Sequence, residues 1–270
     1  INLKPWLASR TLIEALSWQK YPDKQLDRFE KVFSYRSFAS TEASEHLINV
    51  ALGAAQDESV AADARAGIIS LAQEQILETI KREPENARYR LFAGSFFLRL
   101  NLLEEAKKEL AAARRLAPRK QAVLFELGSF YISQKKYNEA SVLFHEAYES
   151  APSYGEAGKF YALSLIYAGK ISEADKILNQ HFQTVLPEDD RFINAYAEAK
   201  LYDRVLALWQ KKVTNDPKNT QNHISLAASY LAVGQRQKAI EELTLVIKLD
   251  PSLKANAENF ISEIRAGRNP

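Results

Sequence analysis

Along most of the chain, apolar residues return every three or four positions in short runs separated by polar turns. Almost nothing alternates with the two-residue period of a strand. The clearest stretch is 121–154, QAVLFELGSFYISQKKYNEASVLFHEAYESAPSY. Its first half sets Val123, Leu124, Leu127 and Tyr131 on one stripe, and its second half sets Ala140, Leu143, Phe144 and Ala147 on another. Two amphipathic helices joined by the polar QKKYN must pack together to hide those stripes. Gly128 and Ala140 are small where the two axes have to approach. Pro152 then stops the second helix, because its ring clashes with the carbonyl four residues back and it has no N–H to donate.

The same punctuation recurs. Pro84, Pro118, Pro152, Pro187, Pro217 and Pro251 are separated by 34, 34, 35, 30 and 34 residues in a chain that has only nine prolines. Each is expected to close one helical hairpin and start the turn to the next.

Residues 121–154 resemble the tetratricopeptide repeat, a helix–turn–helix of 34 residues with an L-G-x-x-Y…A-x-x-x-F…P pattern, through Leu127-Gly128, Tyr131, Ala140, Phe144 and Pro152. Residues 87–120 repeat it as Ala93-Gly94, Phe97, Ala106, Leu110 and Pro118. Residues 220–253 give Leu226-Ala227, Tyr230, Ala239, Leu243 and Pro251, and 155–187 give Tyr161-Ala162, Leu165, Ala174, Leu178 and Pro187. The tryptophan that often opens the repeat is replaced by Arg90, Leu124, Gly158 and His223. Residues 188–219 are short, with Val205 and Trp209 where the alanine and phenylalanine belong, so that hairpin is expected to splay.

The fold expected is all-α: a right-handed α-solenoid of helix–turn–helix repeats with a C-terminal capping helix. Residues 1–86 read as tetratricopeptide-like helical pairs, with helices over 7–20, 23–35, 41–55 and 58–82. The YPD at 21–23 breaks the first pair, and Asp23 caps its second helix. Residues 87–253 form the array, and 254–270 the capping helix and tail. In the cap, Leu253, Ala257, Phe260, Ile261 and Ile264 cover the last repeat while Lys254, Glu258 and Arg265 face water.

Composition narrows the chemistry. Cysteine is absent, which removes disulfides and thiolate sites, and a net charge of +2 does not by itself imply a polyanionic partner. No apolar run approaches the ~18 residues that span a bilayer. Glycine-rich phosphate loops are missing, and His46, His145, His181 and His223 lack metal-ligand spacing, so neither cofactor nor metal is expected. The acids of PEDDR, 187–191, read as helix-start charges. Basic residues gather at Lys81, Arg82, Arg88, Arg90, Arg99, Lys107, Lys108, Arg114, Arg115, Arg119 and Lys120, interleaved with glutamates. They read as solvated helix faces, with an anion- or glycan-binding patch as the alternative; no aromatic stacking pattern accompanies them, so nucleic acid is not expected.

The repeat resemblance implies that first helices line an inner groove that holds peptides. The groove positions it marks include Arg88, Leu91, Ser95 and Leu98, then Phe125, Ser129 and Ile132, then Lys159, Leu163 and Ile166. Leu91/Ser95 and Phe125/Ser129 do not match the lysine/asparagine clamp with which some members grip a C-terminal carboxylate. A mostly apolar groove suits a peptide with hydrophobic anchors. The competing expectation is that superhelical winding already buries these side chains.

Residues 1–50 carry a second resemblance, to the stretch after the last membrane span of bacterial O-antigen ligase/polymerase-like proteins. It rests on Asn2 and Pro5, on FEKVFSY at 29–35, and on Glu42 and Glu45 before Leu47; Ser44 stands where an arginine is expected. Such proteins often end in an extracytoplasmic tetratricopeptide domain, and a chain beginning at Ile1 rather than Met fits a processed product or a piece of a longer one. The resulting expectation is a non-enzymatic interaction scaffold outside the cytoplasm, tied to a membrane only through a parent chain N-terminal to Ile1. A free-standing tetratricopeptide adaptor is the alternative.

Overall fold

The computed structural model describes residues 3–18 and 22–268, which form fifteen α-helices, a 3-10 turn at Pro251–Leu253 and no strand. The protein is an all-α helical repeat fold. It divides into two compact units, Ile1–Lys136 and Tyr137–Pro270. The first holds α1 (Lys4–Ser17), α2 (Pro22–Ser34), α3 (Ala39–Gln56), α4 (Ala62–Arg82), α5 (Ala87–Arg99), α6 (Leu103–Leu116) and α7 (Gln121–Ser133). The second holds α8 (Tyr137–Ser150), α9 (Gly155–Tyr167), α10 (Ile171–Phe182), α11 (Asp190–Glu198), α12 (Tyr202–Asn215), α13 (Thr220–Ala232), α14 (Arg236–Leu249) and α15 (Lys254–Arg265).

Five prolines do what their spacing predicts. Helices end at Arg82, Leu116, Ser150, Asn215 and Leu249, in each case two residues before Pro84, Pro118, Pro152, Pro217 or Pro251. The residue before a proline is pushed out of the helical region, so the chain leaves the helix at that point. Pro187 behaves differently. The helix before it, α10, already ends at Phe182, where Gln183 turns left-handed at φ 54°. Pro187 is instead buried in the connection to α11.

The turns inside the hairpins share one backbone device. Asn101, Lys135, Gly169, Lys200 and Gly234 all have positive φ, between 55° and 78°. Each is followed by an N–H that reaches back five residues: Leu102 to Phe97, Lys136 to Tyr131, Lys170 to Leu165, Leu201 to Tyr196 and Gln235 to Tyr230, at 2.8–2.9 Å. This is the Schellman closure, which satisfies the orphan carbonyls at a helix end and favours glycine because a Cβ crowds the left-handed region.

Packing within a hairpin depends on small residues. A Cβ built on Gly94 would lie 2.5 Å from Leu110 Cγ and 3.1 Å from the Leu110 backbone nitrogen, so α5 and α6 cross through that glycine. In α4 the buried residues Ala64, Ile68, Ala72, Ile76 and Ile80 fall every fourth position, a single inward stripe. The missing opening tryptophan is replaced by polar pairs in two repeats. Arg90 reaches Glu109 at 2.6 Å, with the Glu109 side chain only 3% exposed. At the same repeat positions His223 lies 2.6 Å from Glu242 and 3.0 Å from the carbonyl of Pro217. In the repeat starting at Gly155 the corresponding pair is Gly158 and Ile177, which approach closely without any charge.

Several boundaries differ from expectation. The first helix starts at Lys4 rather than 7, with Pro5 in its opening turn, where a missing N–H costs nothing. The second begins at Pro22 by the same logic, which puts Asp23 inside the first turn rather than at the cap; Asn2 and Tyr21 lie outside the described residues. The helices expected over 41–55 and 58–82 run Ala39–Gln56 and Ala62–Arg82. In the last hairpin, Ala257, Ile261 and Ile264 of α15 are buried, Ile261 and Ile264 within the cluster around Leu226, Tyr230 and Leu243. Phe260 is 40% exposed, because one residue before Ile261 it lies about 100° round the helix.

The degenerate repeat adjusts by shortening. Its first helix, α11, has 9 residues where α5, α7, α9 and α13 have 13. Tyr196 of α11 is fully buried and its hydroxyl donates to the carbonyl of Val185, pinning the 183–189 connection. Arg204 of α12 forms a two-pronged pair with Asp175 of α10 at 2.7 and 2.8 Å, and its guanidinium lies over the Tyr196 ring.

Candidate ligand-binding face

In the first unit α5 and α7 are neighbours, and each repeats one pattern on one face: Leu91, Ser95, Leu98 and Phe125, Ser129, Ile132, at i, i+4, i+7. The structure separates these residues. Leu91 is 7% exposed and belongs to the core. Ser95, Leu98, Phe125, Ser129 and Ile132 are half-buried, with a side still facing outward. Arg88 is exposed, but its guanidinium is committed to Glu45 of α3 at 2.8 Å and lies over Phe92.

In the second unit the groove expectation is corrected for Leu163 and Ile166. They are 6% and 0% exposed, packed with Leu165, Leu178, Phe192 and Tyr196. Helix α11 covers the face of α9 that the repeat pattern leaves for a ligand. Lys159 stands at the edge of that contact, 3.0 Å from Glu156 and 3.4 Å from Asp189. Arg191 closes the square, 2.9 Å from Glu156 and 2.6 Å from Asp189, with its guanidinium 4.7 Å from the centre of the Phe160 ring.

The titration behaviour follows from this geometry. Hydrogen bonds from Arg191 hold Asp189 down at about 2. Burial raises Glu156, but hydrogen bonds from Arg191 and Lys159 outweigh it and leave the carboxyl below its ordinary value. The hydrogen bond to Glu156 raises Lys159. Every member is thereby locked in its charged form, the opposite of a group poised to exchange protons near neutral pH. The square is a clamp between α9 and α11. Asp189 also accepts from the Arg191 backbone N–H at 3.1 Å, the helix-start role the acids suggested. Its neighbours Glu188 and Asp190 pair with Lys211 at 2.5 Å and Lys212 at 2.7 Å around a 220 Å³ cavity. The clamp was legible only as a cluster of acids, since Glu156 and Lys159 lie about thirty residues upstream.

The basic residues of 81–120 do not share one face. Arg90 is taken by Glu109 and Lys81 by Glu78. Arg99, Lys107 and Lys108 flank the α5–α6 turn, whereas Arg82, Arg88, Arg114, Arg115, Arg119 and Lys120 flank the turns at the other end of these helices. Among the described residues, no three His, Asp or Glu side chains are grouped as metal ligands, and no helix is long and apolar enough to cross a membrane.

The sequence profile of the tetratricopeptide repeat matches residues 122–154. No curated protein matches the sequence. Among solved structures, a tetratricopeptide repeat protein from Parabacteroides merdae aligns with a TM-score of 0.62 at 14% identity, over 96% of this chain and 98% of that one. PilW, a type IV pilus biogenesis factor, aligns at 0.57 and 15% identity over 77% and 94%. Yeast Tom70 aligns at 0.52 and 16% identity, over 97% of this chain and 58% of its own. At such identities the likeness is one of fold.

Proposed function

We propose that this tetratricopeptide-repeat chain is a non-catalytic scaffold that holds a protein partner's extended or helical segment along α5 and α7. The observation that carries the reading is the pair of matching strips. Leu98, Phe125 and Ile132 remain partly exposed on the neighbouring helices α5 and α7, whereas Leu163 and Ile166 of α9, at the repeat positions of Ser129 and Ile132, are sealed under α11. The small Ser95 and Ser129 stand between the apolar anchors. Each apolar anchor buried there contributes on the order of 1.5–3 kcal/mol, which makes a few anchors rather than rim charges decisive.

A peptide-display selection on the full chain, read out by fluorescence anisotropy, tests this. Ser129→Arg should abolish binding of the selected peptide with the thermal midpoint unchanged, and Phe125→Glu should weaken it at least about tenfold. The Lys107→Ala/Lys108→Ala variant should bind like wild type. If Ser129→Arg binds the peptide normally, the strip is not the site.

We further infer an extracytoplasmic location, as the tail of a glycan-assembly membrane protein. The support is the resemblance of residues 1–50, whose FEKVFSY segment supplies buried Phe29 and Val32 to α2 and whose Glu45 anchors Arg88. Ser44, in the arginine's place, is buried and donates to the Ser40 carbonyl. The coding sequence upstream of Ile1 decides it: about ten apolar runs of ~20 residues support the reading, and a plain start codon rejects it.

A further inference from the structure

The helices of the first unit alternate in direction, which gives the unit two ends of different character. Gln25 at the start of α2 donates to the carbonyl of Ala15 near the end of α1, so the two are antiparallel. A 440 Å³ cavity brings Leu16, Gln25, Gly53 and Val60 together, which sets the end of α1, the start of α2, the end of α3 and the approach to α4 at one end. The other end therefore gathers the start of α1, the α2–α3 connection, and the turns before α5 and α7. The Arg88–Glu45 pair, joining the first turns of α5 to the first half of α3, agrees with this placement.

Two independent features coincide at that second end. The first is apolar. Leu3, Trp6 and Phe38 are 59%, 60% and 77% exposed, although the opposite face of α1 already buries Ala8, Leu12 and Ala15 in the unit. The second is charge. Residues 113–122 hold Arg114, Arg115, Arg119 and Lys120 with no acid. Around 79–90, Lys81, Arg88 and Arg90 are already paired with Glu78, Glu45 and Glu109, and Arg82 stands beside Glu83 and Glu85, while Lys31 and Arg36 flank the α2–α3 connection. The end lined by the cavity is mixed: Asp57, Glu58, Asp63, Glu104 and Glu105 accompany Arg65, Arg99, Lys107 and Lys108 at the α3–α4 and α5–α6 connections.

We propose that this end of the first unit lies against an anionic lipid bilayer, with Leu3, Trp6 and Phe38 entering the headgroup region and the cations facing lipid phosphates. A polysaccharide or nucleic acid would use the cations and leave three large apolar side chains in water. A bilayer offers negative charge over an apolar interior, and tryptophan flanked by lysine and arginine is the composition that settles at such a boundary. No described helix can span, so the contact is one of lying on the surface. It is independent of the peptide strip on α5 and α7.

The test is co-sedimentation of the full chain with vesicles of phosphatidylcholine alone, or containing about 30% phosphatidylglycerol. Wild type should sediment with the anionic vesicles only, and be released by about 0.5 M salt. Trp6→Ser/Phe38→Ser should reduce partitioning at least about tenfold. Arg115→Glu/Arg119→Glu/Lys120→Glu should reduce it more than about a hundredfold, each cation contributing roughly fivefold near a charged leaflet. These five side chains are exposed, so thermal midpoints should stay put. Ser129→Arg, and Lys238→Glu in the second unit, should sediment as wild type. The proposal is overturned by equal binding to neutral vesicles, by a Trp6→Ser/Phe38→Ser variant that sediments normally, or by binding to heparin without binding to vesicles.

Discussion

The Gly94 crossing gives a prediction whose sign opposes helix propensity. Replacing a mid-helix glycine with alanine normally stabilises by about 0.5–1 kcal/mol, because glycine loses more backbone freedom on folding. At Gly94 the new methyl would stand 2.5 Å from Leu110 Cγ and 2.6 Å from its Cδ2. Leu110 is fully buried and has nowhere to swing, and its backbone nitrogen is 3.1 Å away, so α6 itself must retreat. Overpacking of this kind costs about 1–3 kcal/mol, more than the propensity gain, and the net effect is destabilisation. Gly53 is the control. It is a helical glycine with nothing within 4 Å of the added carbon, and Gly53→Ala should stabilise. The assay is urea unfolding followed by circular dichroism, comparing midpoints and slopes. Leu110→Ala alone should cost about 2–5 kcal/mol, and the Gly94→Ala/Leu110→Ala double variant less than the sum, by about 0.5–3 kcal/mol, since the new methyl then fills part of the hole. Gly94→Ala at least as stable as wild type, or strict additivity in the double variant, would refute the packing described.

Other expectations follow from single features. Lys200→Gly should raise stability by about 0.5–1 kcal/mol, and Gly169→Ala should lower it by a similar amount, because both positions are left-handed; matched thermal unfolding checks them. Asp189, held at about 2 against an ordinary 3.8, lends stability that is complete above pH 4 and lost as pH falls towards 2. The contribution is about 1–2 kcal/mol after solvent screening, and Asp189→Asn should flatten that part of the acid-unfolding curve. Arg90→Leu should cost about 3–5 kcal/mol by stranding Glu109, whereas Arg90→Leu/Glu109→Leu should recover most of it in urea titrations.

The repeat architecture was legible because its signals are local. Prolines two residues past five helix ends, and a small residue such as Gly94 at a crossing, act on backbone geometry whatever surrounds them. Gln183 shows where this stops: Pro187 keeps the proline rhythm, but α10 ends earlier, since Tyr196 draws the connection inward through Val185. The left-handed turn positions were half visible, marked at Gly169 and Gly234 and hidden at Lys135 and Lys200. The ligand strip was legible as a face, not as a surface. Leu163 and Ile166 occupy the repeat positions of Ser129 and Ile132, and only the neighbour α11 decides that they are covered. The basic residues at 81–120 read as one cluster in sequence, yet alternating helix direction sends them to opposite ends. The same alternation brings Trp6 and Phe38 to one end although they are far apart in the chain.

The buried pairs Arg90–Glu109 and His223–Glu242 bear on how the chain avoids misassembly. Near-identical hairpins invite a helix to dock on the wrong partner, within one chain or between two chains during synthesis. A first helix bearing Arg90 that docked on α10, where Ile177 takes the glutamate's place, would bury a guanidinium without a carboxylate, and α6 docked on a foreign first helix would strand Glu109. Positions that weaken the match to the repeat thus label individual hairpins. They make each helix recognise its own mate, and they penalise the swapped and slipped assemblies open to a chain of interchangeable repeats.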